Sequence, residues 1–382
     1  MKAYKRRIAD KILDRKLRTM GAVLINGPKW CGKTTTAEQK ASSVIYMDTP
    51  GQKEQYKRLA KISPGILLGG ETPRLIDEWQ EAPELWDAIR FEVDHRENSI
   101  GQFILTGSST PPDKDKISHS GTGRFARMTM RPMSLYESGE SDGSVSLKDD
   151  LFAANRDIVA TCAISLQDMA MLMCRGGWPQ AAMMNDENAL DIAYEYISAV
   201  ADMDISRVGD VRRSPDFTRR LLRSYARHQG APASISTIRA DILANEKDTL
   251  GEDSIASYIS ALKQLYVIED VSAWNPNIRS KTAIRTSDTR YFVDPSIAAA
   301  SLGLGPQDLI NDLKTMGLLF ETLVMRDLRV YAEAENGHVY HYRDKSGLEC
   351  DAIVHLRNGS YGMIEIKLGG ADDIESGAST LK

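Results

Sequence analysis

The chain predicts a mixed α/β fold in several domains. Near the N-terminus, an apolar run leads through a glycine-rich loop into a helix start. In the middle, three helical patterns precede short apolar runs, and at the end strand patterns alternate with turns and carry acids. At 382 residues the chain is too long for one ordinary core, so two to four domains are expected. A hydrophobic content of 42% and a charged content of 26% exclude intrinsic disorder. Apolar runs are too short for a membrane span, and the first residues lack a signal-peptide core, so a cytoplasmic chain with no membrane partner is expected. The four cysteines lie far apart, without metal-ligand spacing, which argues against zinc and a disulfide framework. With a net charge of -5, contact with nucleic acid would fall to local basic patches.

The first segment, 1–136, reads as a nucleotide-binding domain. Ile8, Ile12, Leu13 and Leu17 fall at helical spacing in a leading helix whose Arg and Lys residues form a solvated face. Ala22-Val23-Leu24-Ile25 is a buried strand. It runs into Gly27-Pro28-Lys29-Trp30-Cys31-Gly32-Lys33-Thr34, a full match to GxxxxGK[ST], with Thr35 continuing into a helix. Glycines let backbone N–H groups curl round a β-phosphate, and the helix N-terminus adds partial positive charge. Lys33 then reaches the β- and γ-phosphates and the Thr34 hydroxyl ligates Mg²⁺, so ATP and Mg²⁺ are the expected ligands. A second strand, 44–47, precedes Arg74-Leu75-Ile76-Asp77-Glu78, a strand ending in two acids. Asp77 suits Mg²⁺ coordination and Glu78 suits polarising the water that attacks the γ-phosphate. A fourth strand, 102–105, ends at Thr106, chosen over Ser108 as the hydroxyl that senses the γ-phosphate; the alternative is an ordinary strand-to-loop threonine. Arg124, at a glycine-flanked loop tip before a strand at 126–130, suits contact with a γ-phosphate in its own subunit or in a neighbour's within a homo-oligomer. Its alternative is a surface arginine.

The phosphate loop with Thr35-Thr36, Leu75-Ile76-Asp77-Glu78-Trp79-Gln80, Ile104-Leu105-Thr106-Gly107-Ser108-Ser109 and Arg131-Pro132-Met133-Ser134-Leu135-Tyr136-Glu137 resemble the prokaryotic AAA-type ATPases whose C-terminal half is catalogued as domain of unknown function 4143. The resemblance covers nearly the whole chain. It implies an AAA fold, ATP binding by the loop, and hydrolysis supported by Asp77 and Glu78.

Segment 137–214 reads as a flexible connection, Gly/Ser/acid-rich to residue 150, followed by a helical region with a Gly176-Gly177-Trp178-Pro179 helix stop. Gly-Trp-Pro is expected to serve packing. Segment 215–303 reads as a winged helix-turn-helix. It has helices at 216–228, 234–244 and 253–265, the last with an acid-Ser cap, and wing strands at 266–271 and 291–293. The third helix carries only Lys263. Arg219, Arg223 and Arg227 stripe the first helix, joined by Arg212, Arg213 and Arg220, with Arg279, Lys281 and Arg285 in the wing. That pattern suits sequence-indifferent phosphate contact with DNA, or a solvated face of a protein-contact module.

Segment 304–382 begins with a helix carrying Glu321, followed by strands at 338–342, 348–356 and 361–368 broken by turns at 345–347 and 357–359. Glu321, Asp351, Glu365 and Lys367 resemble the acids and ExK of the PD-(D/E)XK nuclease superfamily. The resemblance implies Mg²⁺ on Asp351 and Glu365, help from Glu321 directly or through water, and Lys367 acting on the attacking water or the phosphate. The alternative is a nuclease-like fold with structural acids. A three-residue loop with Gly359 left-handed pairs Leu356 with Ser360 and Asp351 with Glu365, whereas a two-residue turn would put the acids on opposite faces. A covering helix and strand would normally follow, so this segment reads as truncated. The function expected is ATP hydrolysis coupled to conformational control of a nucleic-acid-binding or nuclease-like module. The alternative is a nucleotide-dependent interaction protein with inert acids.

Overall fold

The computed structural model describes residues 4–107, 121–153, 158, 160–184, 187–209, 211–244, 251–275, 287–344 and 348–381, apart from the side chains of 371–374. Ser108, the wing residues Arg279, Lys281 and Arg285, and the turn at 345–347 lie outside them. Contacts divide the chain into two compact units, Met1–Arg131 with Ser206–Val211, and Pro132–Ile205 with Arg212–Lys382.

Unit 1 runs α1 (Ile8–Leu17), β1 (Ala22–Asn26), α2 (Lys33–Glu38), β2 (Ser43–Tyr46), α3 (Lys53–Ile62), α4 (Pro64–Leu68), β3 (Arg74–Asp77), α5 (Leu85–His95), β4 (Phe103–Thr106) and β5 (Phe125–Thr129). The strands form one parallel sheet in the order β2-β3-β4-β1-β5. A sheet buried on both faces needs strands that are apolar on both sides, and β1 meets that requirement. Ala22 and Leu24 join one core with Trp79, Leu85 and Trp86, and Val23 and Ile25 join another with Ile12 and Leu13 of α1. The consequence for chemistry is that β4 separates β1 from β3, with Thr106 registered against Ile25 on one side and Asp77 on the other.

Unit 2 opens with α6 (Leu135–Ser138), α7 (Leu166–Arg175) and α8 (Asp191–Ala199), followed by α9 (Pro215–Arg227), α10 (Ile235–Leu243) and α11 (Glu252–Gln264). The stretch expected to be a flexible connection begins in ordered structure. Ser134 Oγ accepts the Glu137 N–H while the Glu137 carboxylate, itself buried, accepts the Ser134 N–H, so the acid is a cap and not part of a linker. Helices α9 to α11 match the expected three, but α11 starts after Gly251, with no side-chain cap where an acid-Ser cap was expected. In place of wing strands, the described residues show isolated antiparallel bridges, Ile268 with Phe292 and Val271 with Thr289.

The arginine stripe is also largely engaged. Arg219 is held by both oxygens of Asp202 at 2.7 and 2.6 Å, and Arg227 by Asp241 at 2.6 Å. Arg213 is buried and donates to the Ile205 carbonyl and Ser257, which removes it from any phosphate-contacting face. Lys263 is bound to Asp270 at 2.7 Å. Trp178 bears out the packing expectation. It is fully buried, and its indole N–H donates to Ser296 Oγ at 3.0 Å.

The unit continues through α12 (Pro295–Leu302), α13 (Pro306–Asn311), α14 (Leu313–Ala334), β6 (Gly337–Arg343), β7 (Glu349–Leu356), β8 (Tyr361–Ile364) and α15 (Ala371–Thr380). The three strands form an antiparallel sheet in chain order, on which α14 packs through Met325, Leu328 and Ala332. Arg326 of α14 is buried between Asp294 at 2.8 Å and Asp327 at 2.7 Å. Removing one member would strand a buried charge, at a cost of about 3–5 kcal/mol.

Candidate functional site

The glycine-rich segment folds as a strand-loop-helix turn in which backbone conformation dictates residue type. Gly27 has φ +146°, and a Cβ there would sit 2.0 Å from the Met130 carbonyl oxygen; Gly32 precedes α2 at φ +97°. Trp30 takes φ +64° without being glycine and is 48% exposed. Cys31 is buried with Sγ against the Met130 carbonyl at 3.4 Å, which agrees with a small residue filling that position. Lys33, only 7% exposed, donates from Nζ to the carbonyls of Gly27 at 2.9 Å and Pro28 at 2.6 Å. Its ammonium is therefore hydrogen-bonded to neutral carbonyls, which an anionic phosphate would outcompete.

The strand order brings the remaining groups to this loop. Asp77 Oδ1 accepts the Thr34 hydroxyl at 2.8 Å and the Thr106 hydroxyl at 2.5 Å, so a single carboxylate oxygen joins the loop helix, β3 and β4. A hydroxyl and a carboxylate side by side are hard oxygen donors that fit Mg²⁺. Glu78 follows β3 in the left-handed region at φ +52° and accepts from Gln80 Nε2. Burial raises its carboxyl above the usual value, with Asp77 and Asp48 adding to the rise and Gln80 and Lys33 opposing it. A raised carboxyl is better matched to accepting a proton near neutral pH. A non-glycine residue forced to positive φ stores strain, and Trp30 and Glu78 both do so here.

Arg124 requires a correction. It precedes β5, whose parallel register against β1 begins at Ala22 with Phe125, while the phosphate loop leaves the other end of β1 after Asn26 registers with Thr129. Its guanidinium is tied to Asp94 at 2.8 and 3.3 Å. An arginine at the wrong end of a parallel sheet cannot reach its own subunit's phosphate loop, so the finger in its own subunit is excluded. Sequence reasoning also missed Arg7. This buried side chain donates to the carbonyls of Cys31 and Arg131, both at 2.8 Å, and so ties the loop to the residue beyond β5. In the sequence it looked like the other basic residues of the leading segment, Arg6, Lys11, Arg15, Lys16 and Arg18, all expected on a solvated face. Gln80 lay within a quoted motif, but only the fold aims it at Glu78.

In unit 2, β7 and β8 pair Ala352 with Ile364 and His355 with Tyr361, and the Leu356 N–H donates to the Ser360 carbonyl at 2.8 Å. Gly359 has φ +91°. This is the register expected of the three-residue loop. The strand itself is shorter than expected. β8 ends at Ile364, and Glu365 and Lys367 follow it, because the Asp351 carboxylate takes the Ile366 N–H at 2.8 Å where the ladder would have continued. Lys367 Nζ lies 3.2 Å from Asp351 and 2.9 Å from Glu365. Glu321 on α14 accepts from the Tyr291 hydroxyl, and burial, with Asp351 and Glu365 nearby, pushes its carboxyl up to about 7 despite the opposing Tyr291 and Lys367. Among the described residues no three acids, histidines or cysteines are already arranged as a metal cage. Glu365 Oε1 is nonetheless buried with no hydrogen-bond partner among them, and the side chain is only 8% exposed. Two carboxylates suffice for Mg²⁺, which keeps several of its waters.

Known families match three stretches of the chain: an AAA domain over residues 19–139, the domain of unknown function DUF8612 over 166–308, and the domain of unknown function DUF4143 over 316–381. The last begins later than the C-terminal half expected from resemblance, because the middle matches a different domain. Two uncharacterized relatives, Mb2031c of Mycobacterium bovis and Rv2008c of Mycobacterium tuberculosis, are 26% identical over 369 residues, 95% of this chain and 74% of theirs. Among solved structures, the Walker-type ATPase PABY2304 of Pyrococcus abyssi is 16% identical with a TM-score of 0.47, covering 78% of this chain and 96% of that one. The Aeropyrum pernix ORC2 protein is 13% identical with a TM-score of 0.32, covering 80% and 93%. No helix among the described residues is long and apolar enough to cross a membrane.

Proposed function

We propose that this chain, which belongs to the AAA-type ATPases that carry a DUF4143 domain, hydrolyses ATP with Mg²⁺ at the loop of unit 1. The observation that carries the reading is the convergence on Asp77 Oδ1 of hydroxyls from Thr34 and Thr106, with Glu78 next in the chain. Loop N–H groups from Gly27 to Thr35 cradle the phosphates, and Lys33 turns from the Gly27 and Pro28 carbonyls to the β- and γ-phosphate oxygens. Thr34 and Asp77 hold Mg²⁺, whose charge offsets that of the phosphates. Thr106 fixes the Asp77 carboxylate from the neighbouring strand. Glu78 orients a water and takes its proton as the water oxygen attacks the γ-phosphorus; the bond to the β–γ bridging oxygen breaks, leaving ADP and phosphate. Arg124, tied to Asp94, takes no part in this reading and is left as a surface arginine.

The test is ATP turnover against Mg²⁺ concentration, with and without single- and double-stranded DNA, for the wild type and Glu78→Gln. The variant is expected to keep ATP binding and to turn over slower by about 100-fold or more, the scale of losing a positioned base. Equal turnover would remove Glu78 from catalysis. A wild type that binds ATP without turnover would favour the nucleotide-dependent interaction protein. A second reading, for unit 2, has a specific observation behind it: the unpaired, buried Glu365 oxygen beside Asp351. It assigns Asp351 and Glu365 a divalent cation and Lys367 a phosphodiester oxygen, with DNA as the substrate class.

A further inference from the structure

The acidic site of unit 2 has a wall that its own helix and strands do not supply. A cavity of about 60 Å³ is lined by Glu321, Arg343 and Asp351, among others, and by Gly230, Thr289 and Tyr291. The second group comes from the stretch matched by DUF8612, the first from that matched by DUF4143. Tyr291 is 1% exposed, and its hydroxyl donates to Glu321 Oε1. Its backbone is anchored by an N–H bond to Asp270 Oδ1 at 3.3 Å, and Asp270 is in turn held by Arg290 and Lys263, both at 2.7 Å. The Arg329 guanidinium lies 5.7 Å from the phenol ring centre. Such a ring has little freedom to turn away, so its one donor stays directed at Glu321.

Backbone from the same stretch also comes close to the Glu321 carboxylate. Gly230 has φ +67°, and a Cβ there would come within 2.9 and 3.0 Å of the two carboxylate oxygens. Its N–H donates to the Arg290 carbonyl at 3.1 Å, which ties it to the segment that carries Tyr291. A phenol and a glycine from outside its own domain thus both approach the Glu321 carboxylate. Lys367 offers one positive charge to two carboxylates, Asp351 and Glu365, and Glu365 Oε1 has no partner among the described residues. Excess carboxylate charge with an unpaired buried oxygen favours a hard cation.

We propose that Tyr291 is a positioning residue of this site: by holding Glu321 in the cavity that it lines with Asp351, it shapes a divalent-cation site that the C-terminal domain does not complete alone. The inference rests on the cation reading of those acids. Outer-shell partners of metal-binding carboxylates typically contribute 10–100-fold in affinity.

The experiment is calorimetric titration of Mn²⁺ into the nucleotide-free full chain. The site is defined as the Mn²⁺ bound by the wild type and lost in Asp351→Asn. Tyr291→Phe keeps the ring and removes the donor, and is expected to weaken that binding by about 10–100-fold. Because Tyr291 acts through Glu321, Tyr291→Phe/Glu321→Gln should bind no more weakly than Glu321→Gln alone; a merely structural role would make the two losses add. Wild-type affinity in Tyr291→Phe, or additive losses, would overturn the inference while leaving the cation site standing. Absence of any Asp351-dependent Mn²⁺ binding would overturn the cation reading, and the role of Tyr291 with it.

Discussion

The phosphate loop of unit 1 and the acids of unit 2 are both sites of concentrated charge, built in opposite ways. In unit 1 the ligand-facing groups come from backbone and from short contiguous motifs, and the sheet only has to bring β3 and β4 beside the loop. In unit 2 the groups are side chains from four segments: Tyr291 before α12, Glu321 on α14, Asp351 on β7, and Glu365 with Lys367 beyond β8. A site made of backbone is already shaped by local sequence, whereas a site made of distant side chains exists only once hairpin register and helix packing are set. Their charge balance differs too. Lys33 meets neutral carbonyls, while Lys367 faces excess carboxylate.

The largest expected effect tests the first half of that contrast. Lys33→Ala should weaken ATP binding by about 100-fold or more, since it removes charge-assisted hydrogen bonds worth about 1.5–3 kcal/mol each. Binding measured by equilibrium dialysis and found unchanged would mean that backbone alone holds the phosphates.

The second half is tested by pH. The Glu321 carboxyl rises from its ordinary 4.5 to about 7 through burial and the nearby Asp351 and Glu365, against Tyr291 and Lys367. A raised carboxyl stabilises the fold below the unfolded value and loses that contribution as pH climbs through the folded value. In EDTA, between pH 4.5 and 8, the wild type should therefore lose about 3 kcal/mol of stability relative to Glu321→Gln. Parallel denaturant curves for the two proteins at both ends of that range would show instead that Glu321 ionises as an exposed acid does.

The smallest effect sharpens the boundary of the first site. With Arg124 bound to Asp94 at the far end of β1, Arg124→Ala should keep turnover within about 2-fold, as surface changes usually do. A loss beyond 10-fold, growing steeper as protein is diluted, would return it to service in a neighbouring subunit.

Much of unit 1 was legible in the sequence because its signals are local. The Gly27–Thr34 spacing, the apolar strand before it and the acids closing Arg74-Leu75-Ile76-Asp77-Glu78 each follow from short-range backbone and burial rules. The helices α9 to α11 were legible for the same reason, as apolar residues at helical spacing on one face. The hairpin register was legible because loop length and a left-handed glycine dictate which residues face each other.

Partnership between charges was not legible, because it depends on what the rest of the fold presents to each side chain. Sequence alone determined that Arg219 and Arg227 share a helix face with Arg223; only the packed chain set Asp202 and Asp241 against them and turned a basic stripe into ion pairs. Sequence alone determined a phosphate loop followed by two acids. Only the order of the sheet, with β4 between β1 and β3, put Thr106 on the Asp77 carboxylate and left Arg124 at the far end. The reason is one of range: backbone preference and hydrophobic period act over a few residues, while a charge responds to whatever tertiary packing brings within several ångströms of it, however distant in the chain.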